Sequence, residues 1–152
     1  MRFWRICRRR YASEAATGEG ASLAGGRWNS RGMRVVYAST SLALAALETF
    51  VNLEPNLQPT DLVSIEGEIP DELEIRRLDP KRLPAHWYAS RDETLRRFGD
   101  EWIHGAETVA LLVPSAAIRD EWNVLLNPAH QDFPRIKFQG LRAFQFDARM
   151  FR

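Results

Sequence analysis

The sequence predicts an α+β fold with more strand than helix. Three observations carry this: polar–apolar alternation over 61–69, an apolar run at 108–113 stopped by Pro114, and two stretches of helical spacing placed too irregularly for a βαβ series. With 152 residues, 45% of them hydrophobic, the chain is predicted to form one domain, residues 1–152. A chain of this length buries roughly 70% of its unfolded surface on folding.

The elements follow in order. Phe3, Arg5 and Cys7 alternate with Trp4 and Ile6, which allows a first strand, although so short a run is ambiguous. From Ala12 to Gly32 small residues dominate, with glycines at 18, 20, 25, 26 and 32. Such a backbone is permissive and is expected to wrap over something, the alternative being a mobile surface loop. Val35-Val36-Tyr37 reads as a short strand, and Ser39-Thr40-Ser41 supplies hydroxyl caps for a helix from Leu42 to Leu53, closed by Pro55. Asp61 to Ile69 is a half-buried strand ended by Pro70. A connector with two prolines spans Leu78 to Trp87. Ser90 and Glu93 form a capping box, and Leu95, Phe98 and Trp102 recur at helical spacing, so a helix is predicted over 91–104. Thr108 to Val113 is continuously apolar and reads as a buried strand with Ser115 at its exit. Asn123 to Asn127 is a further short strand, and a last strand is placed where Phe144 and Phe146 alternate with Gln145 and Asp147.

Charge and composition exclude several classes. Twenty-one Lys/Arg against twenty Asp/Glu leave a net charge of +1, so no global field draws the chain onto nucleic acid or an anionic membrane. Any anionic ligand must be held locally. Cys7 is the sole cysteine, so neither an internal disulfide nor a cysteine-based zinc site can form, which suits a reducing compartment. The basic N-terminal segment is not followed by the roughly 7–15 apolar residues of a signal peptide, and no stretch approaches the ~20 apolar residues of a membrane span. A cytoplasmic location is expected. His86, His104 and His130 stand far apart with no H-x-x-x-H spacing, and no metal is expected. Neither a G-x-S-x-G elbow nor a G-x-x-x-x-G-K-[ST] loop is present.

What remains is Gly25-Gly26-Arg27-Trp28-Asn29. An arginine fork grips phosphate bidentately, and glycines beside it let the backbone come close; the bland alternative is a surface arginine in a loop. Glu48 falls on the Leu42–Leu53 helix among apolar neighbours. It either points to solvent or is partly buried and needs a partner, for which Arg27, Arg31 and Arg34 are the upstream candidates. Tyr37 either packs in the core or turns its ring toward what Arg27 holds. Ser115 in Val113-Pro114-Ser115 reads from spacing as the cap of a short helix after the strand.

In combination these residues resemble the RES-domain toxins, which pair with Xre-type helix-turn-helix antitoxins in bacterial toxin–antitoxin modules. The resemblance runs through Trp4-Arg5-Ile6, Gly25-Gly26-Arg27-Trp28-Asn29, Val36-Tyr37, Ala46-Leu47-Glu48, Trp87, Val113-Pro114-Ser115, Asn123, Leu126-Asn127-Pro128 and Phe146-Asp147-Ala148-Arg149. It implies an ADP-ribosyltransferase-like core of two packed, mainly antiparallel sheets with peripheral helices, and a cleft for NAD as substrate. It implies Arg27, Tyr37, Glu48 and Ser115 as catalytic positions and Arg5, Arg27, Trp28, Asn29 and Tyr37 as NAD-binding positions. Asn52 stands where many relatives carry histidine.

The implied activity is cleavage of the nicotinamide–ribose bond by hydrolysis or phosphorolysis. A fixed carboxylate suits it, because charge builds on the ribose as it does in glycoside cleavage. The resemblance implies an Xre-type antitoxin as partner and water, phosphate or a protein as acceptor. Two alternatives stand beside it: a mono-ADP-ribosyltransferase that modifies a host protein, and a non-catalytic nucleotide- or protein-binding module.

Overall fold

The computed structural model describes residues 1–89 and 91–152. Seven strands share one hydrogen-bonded order, β4-β5-β6-β2-β1-β3-β7. They are β1 (Arg2–Arg8), β2 (Val36–Ser39), β3 (Leu62–Glu68), β4 (Ile75–Arg77), β5 (Ala110–Pro114), β6 (Trp122–Leu126) and β7 (Lys137–Phe144). Three α-helices accompany them: α1 (Glu19–Ala24), α2 (Leu42–Val51) and α3 (Glu93–Gly105). Among the described residues only β4 and β5 pair in parallel; the other neighbours are antiparallel.

The α+β, mainly antiparallel architecture matches the sequence expectation, and the two sheets implied by the resemblance are two halves of one order. β1 meets β2 through a single registered pair, Trp4 with Ser39, whereas β1 pairs with β3 along its whole length, from Arg2–Glu68 to Arg8–Leu62. The halves β4-β5-β6-β2 and β1-β3-β7 are therefore thinly hinged by hydrogen bonds. Packing unites them. One buried cluster takes Phe3 from β1 together with Val36, Ala38, Ala110, Val124 and Leu126 from the other half, and Phe138 of β7 meets Phe3 edge-on at 5.4 Å.

The alternate residues of β5 and β6, Leu111, Val113 and Leu125, face a second cluster with Leu95 and Trp102 of α3, Trp28 and Leu78. Both faces of these strands are thus covered, which is why the run before Pro114 is apolar without alternation.

Boundaries differ from expectation where local chemistry intervenes. At its start α2 follows expectation: it begins at Leu42, and of the three hydroxyls Ser41 caps it, accepting from Leu44 N at 3.1 Å. The helix stops at Val51, where the Asn52 amide turns back onto the Glu48 carbonyl at 2.8 Å. The capping box expected at Ser90 falls on a residue outside the described ones; Asp92 is the N-cap of α3 and accepts from Leu95 N at 3.1 Å.

The segment expected as a loop at 12–32 contains the end of a 3₁₀ turn, Arg9–Glu14, and the short α1. Small residues announce which backbone angles are accessible, not where a turn closes. The last strand is β7, ending at Phe144 rather than running through Phe146. Phe146 packs against Phe144 at 5.1 Å and Phe50 at 5.7 Å, so that alternation marks an aromatic cluster instead of a strand. Among the described residues no helix is long and apolar enough to cross a membrane.

Candidate active site

A cavity of about 720 Å³ opens where the two halves of the sheet meet. That lies within the roughly 300–1,000 Å³ of small-molecule sites. β1 contributes Arg5 to its wall, β2 Tyr37 and Ser39, the glycine loop Gly26 and Arg27, α2 Glu48 and its C-cap Asn52, and β6 Asn123; Tyr88 and Arg91 also line it.

Its wall is built from the loop inward. Asn29 is fully buried, and its amide nitrogen donates to the carbonyls of Ala21, Ser30 and Met33 at 2.9, 3.2 and 3.1 Å. Its side-chain oxygen accepts from the Tyr37 hydroxyl at 2.7 Å, and that hydroxyl in turn accepts from Trp28 N at 3.0 Å. One amide and one phenol thus hold the Gly25–Trp28 backbone against β2. Gly26 makes the approach possible: a Cβ there would sit 2.6 Å from the Tyr37 hydroxyl oxygen. Burial pushes the Tyr37 hydroxyl well above the ordinary tyrosine range.

The arginines meet this wall from two sides. Arg5 donates from Nη1 to the Tyr37 carbonyl at 2.7 Å, while its buried Nε has no hydrogen-bond partner. Burial lowers its pKa, partly offset by Cys7. Arg27 donates to the Trp87 carbonyl at 3.2 Å; burial and then Arg91 lower its pKa, and Glu48 and Tyr37 raise it.

Glu48 is fixed from the exit of β5 and from β6. Its Oε1 accepts from Ser115 Oγ and from Asn123 Nδ2, both at 2.6 Å, which leaves Oε2 to the cleft that the residue lines. Asn123 is oriented by Ser39, whose hydroxyl donates to the amide oxygen at 2.7 Å. Ser39 and Asn123 are direct register partners of β2 and β6. Ser115 is fully buried, and its oxygen also accepts from the backbone of Ala117 and Ile118.

The structure therefore brings Arg5, Arg27, Trp28, Tyr37 and Glu48 to one cavity. Ser115 and Asn29 stand behind its wall: the serine hydroxyl spends its proton on Glu48, and the Asn29 amide is consumed by the loop. Trp28 lines the cavity only slightly, being 2% exposed, and its ring packs on Trp87 at 5.9 Å within the second core. The expected partners Arg31 and Arg34 do not bond Glu48, and Arg34 pairs with Glu19 at 2.6 Å instead. Sequence reasoning missed Ser39 as more than a cap, Asn123 as a donor to the carboxylate, and Arg91, which donates to Asn52 Oδ1 at 2.7 Å. Their signal lies in strand pairing and in rim geometry, neither of which has a local sequence signature.

Fold and site together define a class: an α+β protein with a carboxylate and arginines lining a cleft between two half-sheets. The family follows from similarity, since the family model described as the RES domain matches residues 2–148. The chain belongs to the RES domain family, as its motifs indicated. It is 40% identical over 155 aligned positions to a Prs ADP-ribosylating toxin of Sphingobium sp. (strain YBL2), covering 99% of this chain and 96% of that protein. It is 36% identical over 153 positions to a protein named Toxin Res of Yersinia enterocolitica serotype O:8, covering 99% of each. Among solved structures it is similar to a chain of the M. tuberculosis MbcT-MbcA toxin–antitoxin complex. The TM-score is 0.75 over 95% of this chain and 84% of that one; at 15% identity the likeness is one of fold.

Proposed function

We propose that this protein is the toxin of a bacterial toxin–antitoxin module and breaks the nicotinamide–ribose bond of NAD. The observation that carries the reading is the Glu48 carboxylate, clamped by Ser115 and Asn123 on the wall of a cleft that also presents Arg5 and Arg27. An arginine buried with an unpartnered Nε suits an anionic ligand, and the diphosphate of NAD supplies one.

In this mechanism Arg5 and Arg27 hold the diphosphate while the Tyr37 side chain bounds the ribose end. The C1′–N bond breaks, its electron pair leaves with neutral nicotinamide, and positive charge spreads over C1′ and the ring oxygen. Glu48 stabilises that charge, already oriented and needing no reorganisation. Oxygen from water or phosphate then bonds to C1′, and in hydrolysis the water proton passes to solvent. The products are nicotinamide with ADP-ribose or its 1-phosphate ester. Ser115 and Asn123 act through Glu48 as positioning residues.

A second reading has one specific observation in its favour, the name of the 40% identical Sphingobium relative, a Prs ADP-ribosylating toxin. In it the same bond breaks and a protein side chain takes the ADP-ribose. The MbcT-MbcA complex supports an antitoxin as partner, and the motif resemblance points to the Xre helix-turn-helix type in the cytoplasm.

The test is nicotinamide release and NAD loss by the purified protein, with and without phosphate. Glu48→Gln is expected to bind NAD and lose roughly 100-fold or more in turnover, the scale of a lost transition-state contact. Arg27→Ala is expected to weaken NAD binding. A folded Glu48→Gln with full turnover removes Glu48 from the mechanism. NAD binding by the wild type without nicotinamide release over hours leaves a binding module.

A further inference from the structure

A second cavity, of about 320 Å³, adjoins the first and shares Gly25, Gly26 and Arg91 with it. Its charged lining is Arg31, Arg91 and Arg96, with no acidic side chain among the lining residues. Among the described residues none of these three forms an ion pair with a carboxylate, in contrast to Arg34 with Glu19 or Arg135 with Glu72. Arg91 spends Nη2 on Asn52, and Arg96 spends Nη1 on the Arg91 carbonyl at 3.2 Å. Two acids of the adjoining helix α3 and its cap are engaged with backbone: Asp92 accepts from Leu95 N, and Asp100 accepts from Ser30 N at 2.9 Å.

Three guanidiniums, those of Arg31 and Arg91 exposed and that of Arg96 half-buried, line one concavity and present like charge to the space between them. The Arg91 charge reaches across the shared wall, where it opposes that of Arg27. A chain with a net charge of +1 has no global reason to place them together. A phosphate group relieves the repulsion best: it carries up to two charges and offers oxygens to several forks at once, whereas a carboxylate offers two oxygens in one plane.

We propose that this cavity is a phosphate subsite, distinct from the proposed diphosphate grip of Arg5 and Arg27, and that it takes free phosphate or the terminal phosphate of a monoester. Lying across the Gly25–Gly26 wall from the cleft, it anchors the phosphate of a second reactant; that use, unlike the binding itself, rests on the NAD reading.

Isothermal titration of the full chain in chloride buffer of fixed ionic strength, first with inorganic phosphate and then with glycerol 3-phosphate, tests the subsite without NAD. Saturable binding of at least one is expected. Arg31→Gln with Arg96→Gln should weaken it roughly tenfold or more, the loss of charge-assisted bonds, while Glu48→Gln leaves it unchanged. Phosphate binding alone identifies the free ion as ligand; tighter monoester binding identifies the ester. No saturable heat from either probe overturns the subsite. So does an unchanged affinity in the double variant, which assigns the phosphate to the main cleft. The single Arg31→Gln, at an exposed side chain, repeats the comparison if the double variant melts early. NAD plays no part in these readouts, so failure here leaves the NAD reading standing, and failure of that reading leaves this one.

Discussion

At the scale of residues, the site is governed by where buried polar atoms find partners. The sequence left Glu48 either pointing to solvent or partly buried with a partner among Arg27, Arg31 and Arg34. The donors are instead Ser115 and Asn123, at separations of 67 and 75 positions. They come from strands whose pairing no local pattern reveals. Because the Ser115 hydroxyl has one proton and gives it to Glu48, its removal should disturb the carboxylate and not the substrate contacts. Ser115→Ala is expected to lower kcat for nicotinamide release roughly tenfold, the worth of one bond to a charged group, with KM for NAD nearly unchanged; steady-state kinetics separate the two. A rise in KM with unchanged kcat would mean that the serine touches substrate. Tyr37 carries a pH consequence. Its hydroxyl is neutral in the fold well above its ordinary pKa of 10.0, while the unfolded chain ionises there. Above about pH 10 the folded state therefore binds the extra proton, and stability falls as pH rises, by up to about 1.4 kcal/mol per pH unit from this group. Denaturant melts at pH 9 to 11 should show that fall, and Tyr37→Phe should flatten it while lowering stability at neutral pH through two lost hydrogen bonds.

At the scale of elements, legibility follows length and period. β3 alternates over most of its run, β5 is a continuous apolar stretch, and α3 repeats its apolar face, so all three were visible in sequence. β4 has three residues at a sheet edge, too few for a period, and its register with β5 is a tertiary choice. α1 is a six-residue helix in a glycine-rich stretch, stabilised by what surrounds it rather than by propensity. The seat of α3 on the loop supplies a test in which two effects oppose. Gly99→Ala should gain helix propensity, roughly 1 kcal/mol. A Cβ at Gly99, however, collides with the carbonyl of Trp28, a backbone atom that cannot swing aside. Overpacking of this kind costs about 1–3 kcal/mol and at times more, so the collision wins and the variant should be less stable in urea melts. Since Trp28 is continuous with the Arg27 loop, NAD affinity should fall too. Increased stability would show that α3 rides over the loop with room to spare.

At the scale of the whole molecule, two descriptions of the chain make opposite predictions. By hydrogen bonds it is two half-sheets joined at the Trp4–Ser39 pair, and a hinge so thin invites independent melting. By packing it is one body, because Phe3 and Phe138 of one half share a buried cluster with Val36, Ala38, Val124 and Leu126 of the other. Burial of several large apolar side chains, each worth about 1.5–3 kcal/mol, outweighs the loss of one strand pair at about 0.5–1.5 kcal/mol per hydrogen bond. Neither half can therefore unfold without exposing the core of its neighbour. The cleft depends on the same union: Arg5 belongs to one half, Tyr37 and Asn123 to the other, and Arg5 donates across the joint to the Tyr37 carbonyl. We propose that the 152 residues unfold as a single cooperative unit. Calorimetry should then give one transition of on the order of 100 kcal/mol, with equal calorimetric and van't Hoff enthalpies, and tryptophan fluorescence and far-ultraviolet circular dichroism should melt together. Phe3→Ala, which opens a cavity at the shared core, should lower stability by about 3–5 kcal/mol and shift both probes by the same amount. Two resolved transitions, or a Phe3→Ala shift confined to one probe, would mean that the half-sheets are separate folding units and that the cleft between them opens without global unfolding.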